Sequence, residues 1–319
     1  MFFFGIRRFI DQAYPPKSKF DPSRDIPDLT GKVVIVTGGN TGIGKHTIRA
    51  LLNKNAKVYM ASRSKQRAEQ AISDLKQETG KDAIFLVLDL ASLDKVTKAA
   101  KEFMGKEPAL HILFNSGGVM VPPIEQLTED GYDLQFGTNV LGHAHFTLSL
   151  LPALLEGAKT SADGKARVIN TSSFVAYHDT EPLIKWGTLK DSAERRALGT
   201  SMLYNQSKYG VIAFSNELAR RYADKGIVSN AVNPGNLDTE LQRHHTPIVQ
   251  FLIDLVFSHP AHLGAHTQLW VATNPEVASI NGGWFIPWAR QYVHSKETRN
   301  PEMEAKLWDW VEEQRQGHN

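Results

Sequence analysis

Residues 32–44 read KVVIVTGGNTGIG: an apolar, β-branched run that ends in glycines. Such a run fits a strand buried on both faces. From Gly42 the pattern turns helical, with Ile43, Thr47, Ile48, Leu51 and Leu52 on one side. Strand, glycine turn and helix in that order place several backbone N–H groups and the positive end of a helix at one point. That arrangement suits a pyrophosphate. Taken alone, glycines at such a turn could equally serve tight packing.

The same alternation continues along the chain. KVYMASR is a second strand, followed by a polar helix from about Ser64 to Thr79; AIFLVLDL and LHILFNSGG are a third and a fourth strand. A helix is expected from about Tyr132 through Leu155. ARVINTSS is a fifth strand, a long helix covers about Ser201 to Asp224, IVSNAVNPG is a sixth strand and GGWFI a short seventh. Buried strands alternating with amphipathic helices predict an α/β fold. Its sheet is doubly wound, of Rossmann type, mainly parallel and seven-stranded, with helices on both faces. In such a sheet the loops at the carboxyl ends of the strands form one edge, where ligands bind. No repeat or linker divides residues 31–319, which are expected to form a single catalytic domain behind a lead-in of residues 1–30.

The 319 residues carry 36 Lys and Arg against 34 Asp and Glu, a net charge of +2. No overall field favours nucleic acid or an acidic surface. Cysteine is absent, so disulfides and thiolate metal sites are excluded. His143 and His145 point apart on a helix, and no ligand set completes them or His244-His245, so no metal is expected. No stretch reaches the roughly 20 apolar residues of a membrane span; a cytoplasmic location is expected, with peripheral membrane association as the alternative. In residues 1–14, Phe2, Ile6, Phe9, Ile10 and Ala13 share a helical face. The plainer expectation is a helix docked on its own domain or on a partner; the alternative is peripheral contact with a membrane surface.

The glycine loop, Thr37-Gly38-Gly39-Asn40-Thr41-Gly42-Ile43-Gly44, has the spacing TGxxxGxG and resembles that of the short-chain dehydrogenase/reductase family. Five further elements follow in the order of that family: Asn115-Ser116-Gly117-Gly118, Asn139 in GTNVLGH, Ser173 in NTSS, Tyr204-Asn205-Gln206-Ser207-Lys208, and Asn233-Pro234-Gly235. The resemblance runs from about Gly31 to Phe285. TGGNTGIGK, LHILFNSGGVM and NELARR look like the retinol-dehydrogenase-like subgroup and its fungal relatives. Ser116 and Gly117 depart from the usual NNAG, and the lead-in lacks the full membrane anchor of some retinol dehydrogenases.

The resemblance implies a nicotinamide cofactor held by Gly38, Asn40, Thr41, Gly42, Ile43 and Gly44, by Ser62 and Arg63, by Asp89 and Leu90, by Asn115 and Gly117, by Tyr204 and Lys208, and by Pro234, Gly235, Leu237 and Thr239. An acidic side chain ending the second strand would bond a ribose 2′-hydroxyl and repel a 2′-phosphate. Ser62 and Arg63 stand there instead, and an arginine holds phosphate by charge-assisted hydrogen bonds, so NADP is expected. Asp89 would face adenine, with an N-cap for the next helix as the alternative.

Tyr204 and Lys208 are four residues apart and share one helix face. A phenol titrates near about 10, and a neighbouring ammonium lowers that value. By resemblance, Lys208 also binds the nicotinamide ribose, Asn139 holds a water that links Lys208 to solvent, and Ser173 rather than Ser172 steadies the substrate oxygen. The implied reaction is reversible reduction of an aldehyde or ketone by NADPH, with Tyr204 giving the proton. His178, Trp186 and Leu189 are expected in one wall of the pocket. A lid over about 236–265, with Leu241 and IVQFLIDLVF, points to an apolar or aromatic substrate. The alternatives are a non-catalytic NADP-binding or sensing protein and a membrane-surface scaffold. Monomer and homodimer are both open.

Overall fold

A computed structural model describes residues 11–177, 183–237, 259–294 and 298–318. The strands are β1 (Val33–Thr37), β2 (Lys57–Ser62), β3 (Ile84–Val87), β4 (Ile112–Asn115), β5 (Ala166–Thr171), β6 (Ile227–Val232), β7 (Trp284–Ile286) and β8 (Arg290–Tyr292). They form one sheet in the order β3-β2-β1-β4-β5-β6-β7-β8. The seven expected strands are all present and parallel to their neighbours. The eighth, β8, is an addition to the expected seven and pairs antiparallel with β7, Ile286 opposite Arg290. Three residues reading Arg-Gln-Tyr on a sheet edge give no apolar run to find.

The main helices are α1 (Gly42–Asn53), α2 (Lys65–Thr79), α3 (Leu93–Met104), α4 (His143–Ser149), α5 (Leu151–Lys159), α6 (Thr200–Tyr222), α7 (Ala261–Thr273) and α8 (Pro301–Gln314). They cover both faces of the sheet, and the strand pattern shows why. Ile35 and Leu113 point to one face, where they join Val96 and Phe103 of α3, Ile212 of α6 and Trp308 of α8. Their neighbours Val34, Val36, Ile112 and Phe114 point to the other, against Ile48 and Leu51 of α1, Leu75 of α2 and Leu269 of α7. This is the two-residue period of a strand buried on both sides. Each fully buried Ile or Leu contributes about 1.5–3 kcal/mol.

The lead-in is less extended than its Pro, Asp and Ser content suggests. Asp21 caps a short turn, Pro22–Asp25, through its side chain. Phe20, Ile26 and Leu29 are buried in the core beneath α1 and α7. Residues 1–10, where most of the amphipathic pattern lies, fall outside the described residues. The end of that pattern is docked: Gln12 and Ala13 are buried.

The sheet order reverses between β1 and β4. Loops leaving those adjacent strands diverge, which opens a crevice at the carboxyl edge. A cleft is found there.

Candidate active site

Thr37 closes β1 and organises the floor of the cleft. Its hydroxyl oxygen accepts hydrogen bonds from the backbone N–H groups of Ser116 (2.9 Å) and Gly117 (2.8 Å). The two loops meet so closely that a Cβ on Gly38 would lie 2.8 Å from the Gly117 Cα, and Gly38 has φ +66°. Both facts require glycine. The resulting cleft is lined by Thr37, Gly38, Asn40, Thr41, Gly42, Ile43 and Gly44 on one side and by Ser116, Gly117, Gly118 and Val119 on the other. Its far end is lined by Ser62, Arg63, Ser64, Arg67, Asp89 and Leu90.

That far end is cationic. Ser64 caps α2 by accepting from the Arg67 N–H, and the first turn of α2 has no acidic residue. Arg67 comes one helical turn after Arg63, so both guanidinium groups reach the same end. The Ser62 hydroxyl is buried without a hydrogen-bond partner among the described residues. A buried, unpaired hydroxyl is costly to leave so, and suits a site that a polar ligand completes. Arg67 escaped the sequence reading. The signal was its spacing from Arg63 at the start of a helix.

Asp89 lines the cleft and bonds the Ala91 N–H at 3.1 Å. The N-cap of α3 is Ser92, so the capping alternative for Asp89 does not hold. Asn115 is placed differently from expectation. Its Nδ2 donates to Thr147 Oγ1 and to Asn170 Oδ1, both at 2.9 Å, beneath the end of β4. The side chain is in the core, and the backbone of Ser116 to Val119 forms the cleft wall instead. As the last residue of a strand it takes the face opposite to its neighbour.

Beside the Gly118 wall of the cleft, α6 carries Tyr204 and Lys208: a Cβ on Gly118 would lie 4.0 Å from the Lys208 Nζ. Residues Leu203 to Ala219 of this helix are nearly all buried, enclosed by β6 on one side and α8 on the other. The Lys208 Nζ donates to the Thr171 carbonyl at 3.0 Å and lies 5.6 Å from the centre of the Tyr204 ring. Burial pushes the Lys208 ammonium down to about 8. Burial also pushes the Tyr204 phenol above its ordinary range. The expected lowering of the phenol by Lys208 is therefore outweighed here by desolvation, and Tyr204 keeps its proton at neutral pH.

Ser172 and Ser173 follow β5. The Ser172 hydroxyl donates to the Lys208 carbonyl at 2.7 Å and is buried. Ser173 is half-buried, and its Oγ accepts from the Val175 N–H at 3.5 Å.

Asn139 sits in a π-helical turn, Gly137–Gly142, that leads into α4. Its Nδ2 donates to the Val119 carbonyl and to Ser207 Oγ, each at 3.0 Å. Its Oδ1 accepts from the Val119 N–H at 2.9 Å. The side chain thus ties the cleft wall to α6 between Tyr204 and Lys208. Its backbone carbonyl faces Nδ1 of His143 at 3.1 Å, and Nε2 of that ring faces the Thr37 hydroxyl at 2.9 Å. A carbonyl only accepts, so the proton is on Nδ1 and Nε2 accepts from Thr37. Burial holds the His143 imidazole neutral, down to about 4. His145 points away, to Thr97 Oγ1 at 2.7 Å and Arg315.

Pro234 and Gly235 follow β6. The Gly235 N–H donates to Asn233 Oδ1 at 3.0 Å, and Gly235 has φ +89° beneath the Trp288 ring. Leu237 is buried, and its backbone pairs with His259. Thr239, His178, Leu241 and most of the expected lid lie outside the described residues. Among those residues, no helix is long and apolar enough to cross a membrane.

Known proteins resemble this chain in sequence and in fold. The sequence model described as short chain dehydrogenase matches residues 32–188 and 192–248. A short-chain dehydrogenase/reductase of Armillaria gallica is 54% identical over 303 residues, covering 95% of this chain and 96% of that one. Human retinol dehydrogenase 12 is 36% identical over 283 residues, covering 88% and 85%. A short chain dehydrogenase from Burkholderia cenocepacia, solved in complex with NADP, superposes with a TM-score of 0.62 at 25% identity, covering 81% of this chain and 96% of that one.

Proposed function

The chain belongs to the short-chain dehydrogenase/reductase family, and from that premise we propose that it is an NADPH-dependent reductase of apolar or aromatic aldehydes and ketones. The supporting observation is the arrangement along the carboxyl edge of the sheet: Arg63, Arg67 and the Ser62 hydroxyl, which has no partner among the described residues, line one end of the cleft, and Lys208 with Tyr204 stands beside its Gly118 wall.

The residues fit the cofactor. The glycines of the loop keep side chains away from the N-terminus of α1, whose first-turn N–H groups would face the pyrophosphate. Arg63 and Arg67 would hold a 2′-phosphate, and Ser62 would donate to it. NADPH bound there supplies a hydride. Tyr204 donates its hydroxyl proton to the carbonyl oxygen, and its burial keeps that proton available at neutral pH. The Lys208 ammonium stabilises the phenolate that remains. Ser173 donates a hydrogen bond to the same oxygen, and Asn139 fixes the spacing of α6 against the cleft wall. The reaction runs in reverse for alcohols.

The test is oxidation of NADPH and, separately, of NADH by purified protein with aromatic aldehydes, quinones, retinal and ketosteroids. Turnover of an apolar carbonyl with NADPH preferred supports the proposal. NADH preferred would overturn the cofactor assignment.

A further inference from the structure

We propose that Gln12, in the segment that precedes the sheet, is a positioning residue for the nicotinamide end of the cleft. The inference rests on the reading that this cleft takes a nicotinamide dinucleotide.

Asn233 is the link. It is the first residue after β6, and β6 lies beside β5, whose last carbonyl holds Lys208. The turn Asn233-Pro234-Gly235 therefore flanks the Tyr204 and Lys208 end of the edge. The cationic end lies beyond β2, four strand spacings or about 19 Å away. Asn233 is 1% exposed and Gln12 is 3% exposed. The Asn233 carboxamide is engaged on both sides. Its Oδ1 accepts from the Gly235 N–H at 3.0 Å, and its Nδ2 donates to Gln12 Oε1 at 2.8 Å. Gln12 thereby fixes the plane of the amide that sets the turn at Gly235.

Gln12 is itself held in place. Arg290 donates from Nη1 to Asp11 Oδ1 at 2.9 Å and from Nη2 to the Asp11 carbonyl at 3.0 Å. His259 Nε2 faces the Ala13 carbonyl at 3.0 Å, and its ring packs edge-on against Trp288, which covers Gly235. Three consecutive residues, 11 to 13, are thus bonded to β8, to the residue paired with Leu237, and to Asn233. Removing the Gln12 oxygen leaves a buried donor unpaired at the turn, while the adenosine end is untouched.

The experiment compares wild type, Gln12→Leu and Gln12→Glu, which keeps an acceptor oxygen at the same place. Dissociation constants are measured for NADPH and for adenosine 2′,5′-bisphosphate, which lacks the nicotinamide half. The expected result is about tenfold weaker NADPH binding in Gln12→Leu, unchanged bisphosphate binding, and recovery in Gln12→Glu. The ratio of the two constants within one protein is insensitive to the folded fraction. An unchanged ratio in Gln12→Leu overturns the proposal. Failure of wild type to bind NADPH overturns the cofactor reading, and the proposal with it.

Discussion

The Lys208 ammonium rests on the Thr171 carbonyl, 5.6 Å from the centre of the Tyr204 ring. Burial disfavours the charge of both residues: the lysine comes down to about 8 and the phenol goes up. A charged lysine therefore exists below about pH 8 and is lost above it. The rate of carbonyl reduction should fall as pH rises through about 8, because the phenolate left by proton transfer loses its counter-charge. Replacing Tyr204 with Phe should lower turnover by about 10²–10⁴-fold and leave NADPH affinity unchanged. A pH–rate profile and a cofactor titration check both statements.

Arg63 and Arg67 flank the buried Ser62 hydroxyl. Replacing either arginine with Ala should weaken NADPH about tenfold and leave NADH nearly unaffected. Ser62→Asp should lower the preference for NADPH over NADH further, since a carboxylate there repels a 2′-phosphate. Paired kcat/KM values for the two cofactors measure this.

His143 is buried between Asn139 and Thr37 and stays neutral down to about pH 4. An unfolded histidine titrates near about 6.5, so between these values the unfolded chain binds the extra proton. Its contribution is intact above about 6.5 and is lost as pH falls towards 4, on the order of 3 kcal/mol. Urea midpoints for wild type and His143→Gln across that range should converge at low pH. Parallel curves would show that His143 is not the group responsible.

Arg195 and Asp133 form an ion pair at 2.9 Å with side chains 2% and 1% exposed. Arg195 also donates to the Ile124 and Gln126 carbonyls, and Asp133 accepts from the N–H groups of Gln135 and Phe136. Arg195→Met should destabilise the protein by about 3–5 kcal/mol, because the Asp133 charge stays buried. Adding Asp133→Asn should recover part of that loss in urea denaturation.

Most of this was legible in the sequence where one physical signal dominated. β1 to β7 are short runs rich in apolar and β-branched residues, and helix spacing alone puts Tyr204 beside Lys208. β8 was not legible, since three mixed residues on an edge carry no period. The π-helical turn around Asn139 was not legible either, because an extra residue per turn depends on neighbours distant in sequence. The motif assigns Asn115 to the cofactor, yet strand alternation turns its side chain inward to Thr147 and Asn170, and Ser116 to Val119 line the cleft. Gln12 bonds Asn233 across 221 positions, a pairing that no local pattern announces.

In the proposed reaction Tyr204 protonates the oxygen of a carbonyl reduced by NADPH. The most direct measurement uses NADPH deuterated at the transferable position, with a panel of apolar carbonyls and mass analysis of the alcohol. Wild type should place deuterium on the carbinol carbon of at least one substrate, and Tyr204→Phe should bind NADPH and place almost none. NADPH binding by wild type with no deuterium transferred to any carbonyl would contradict it.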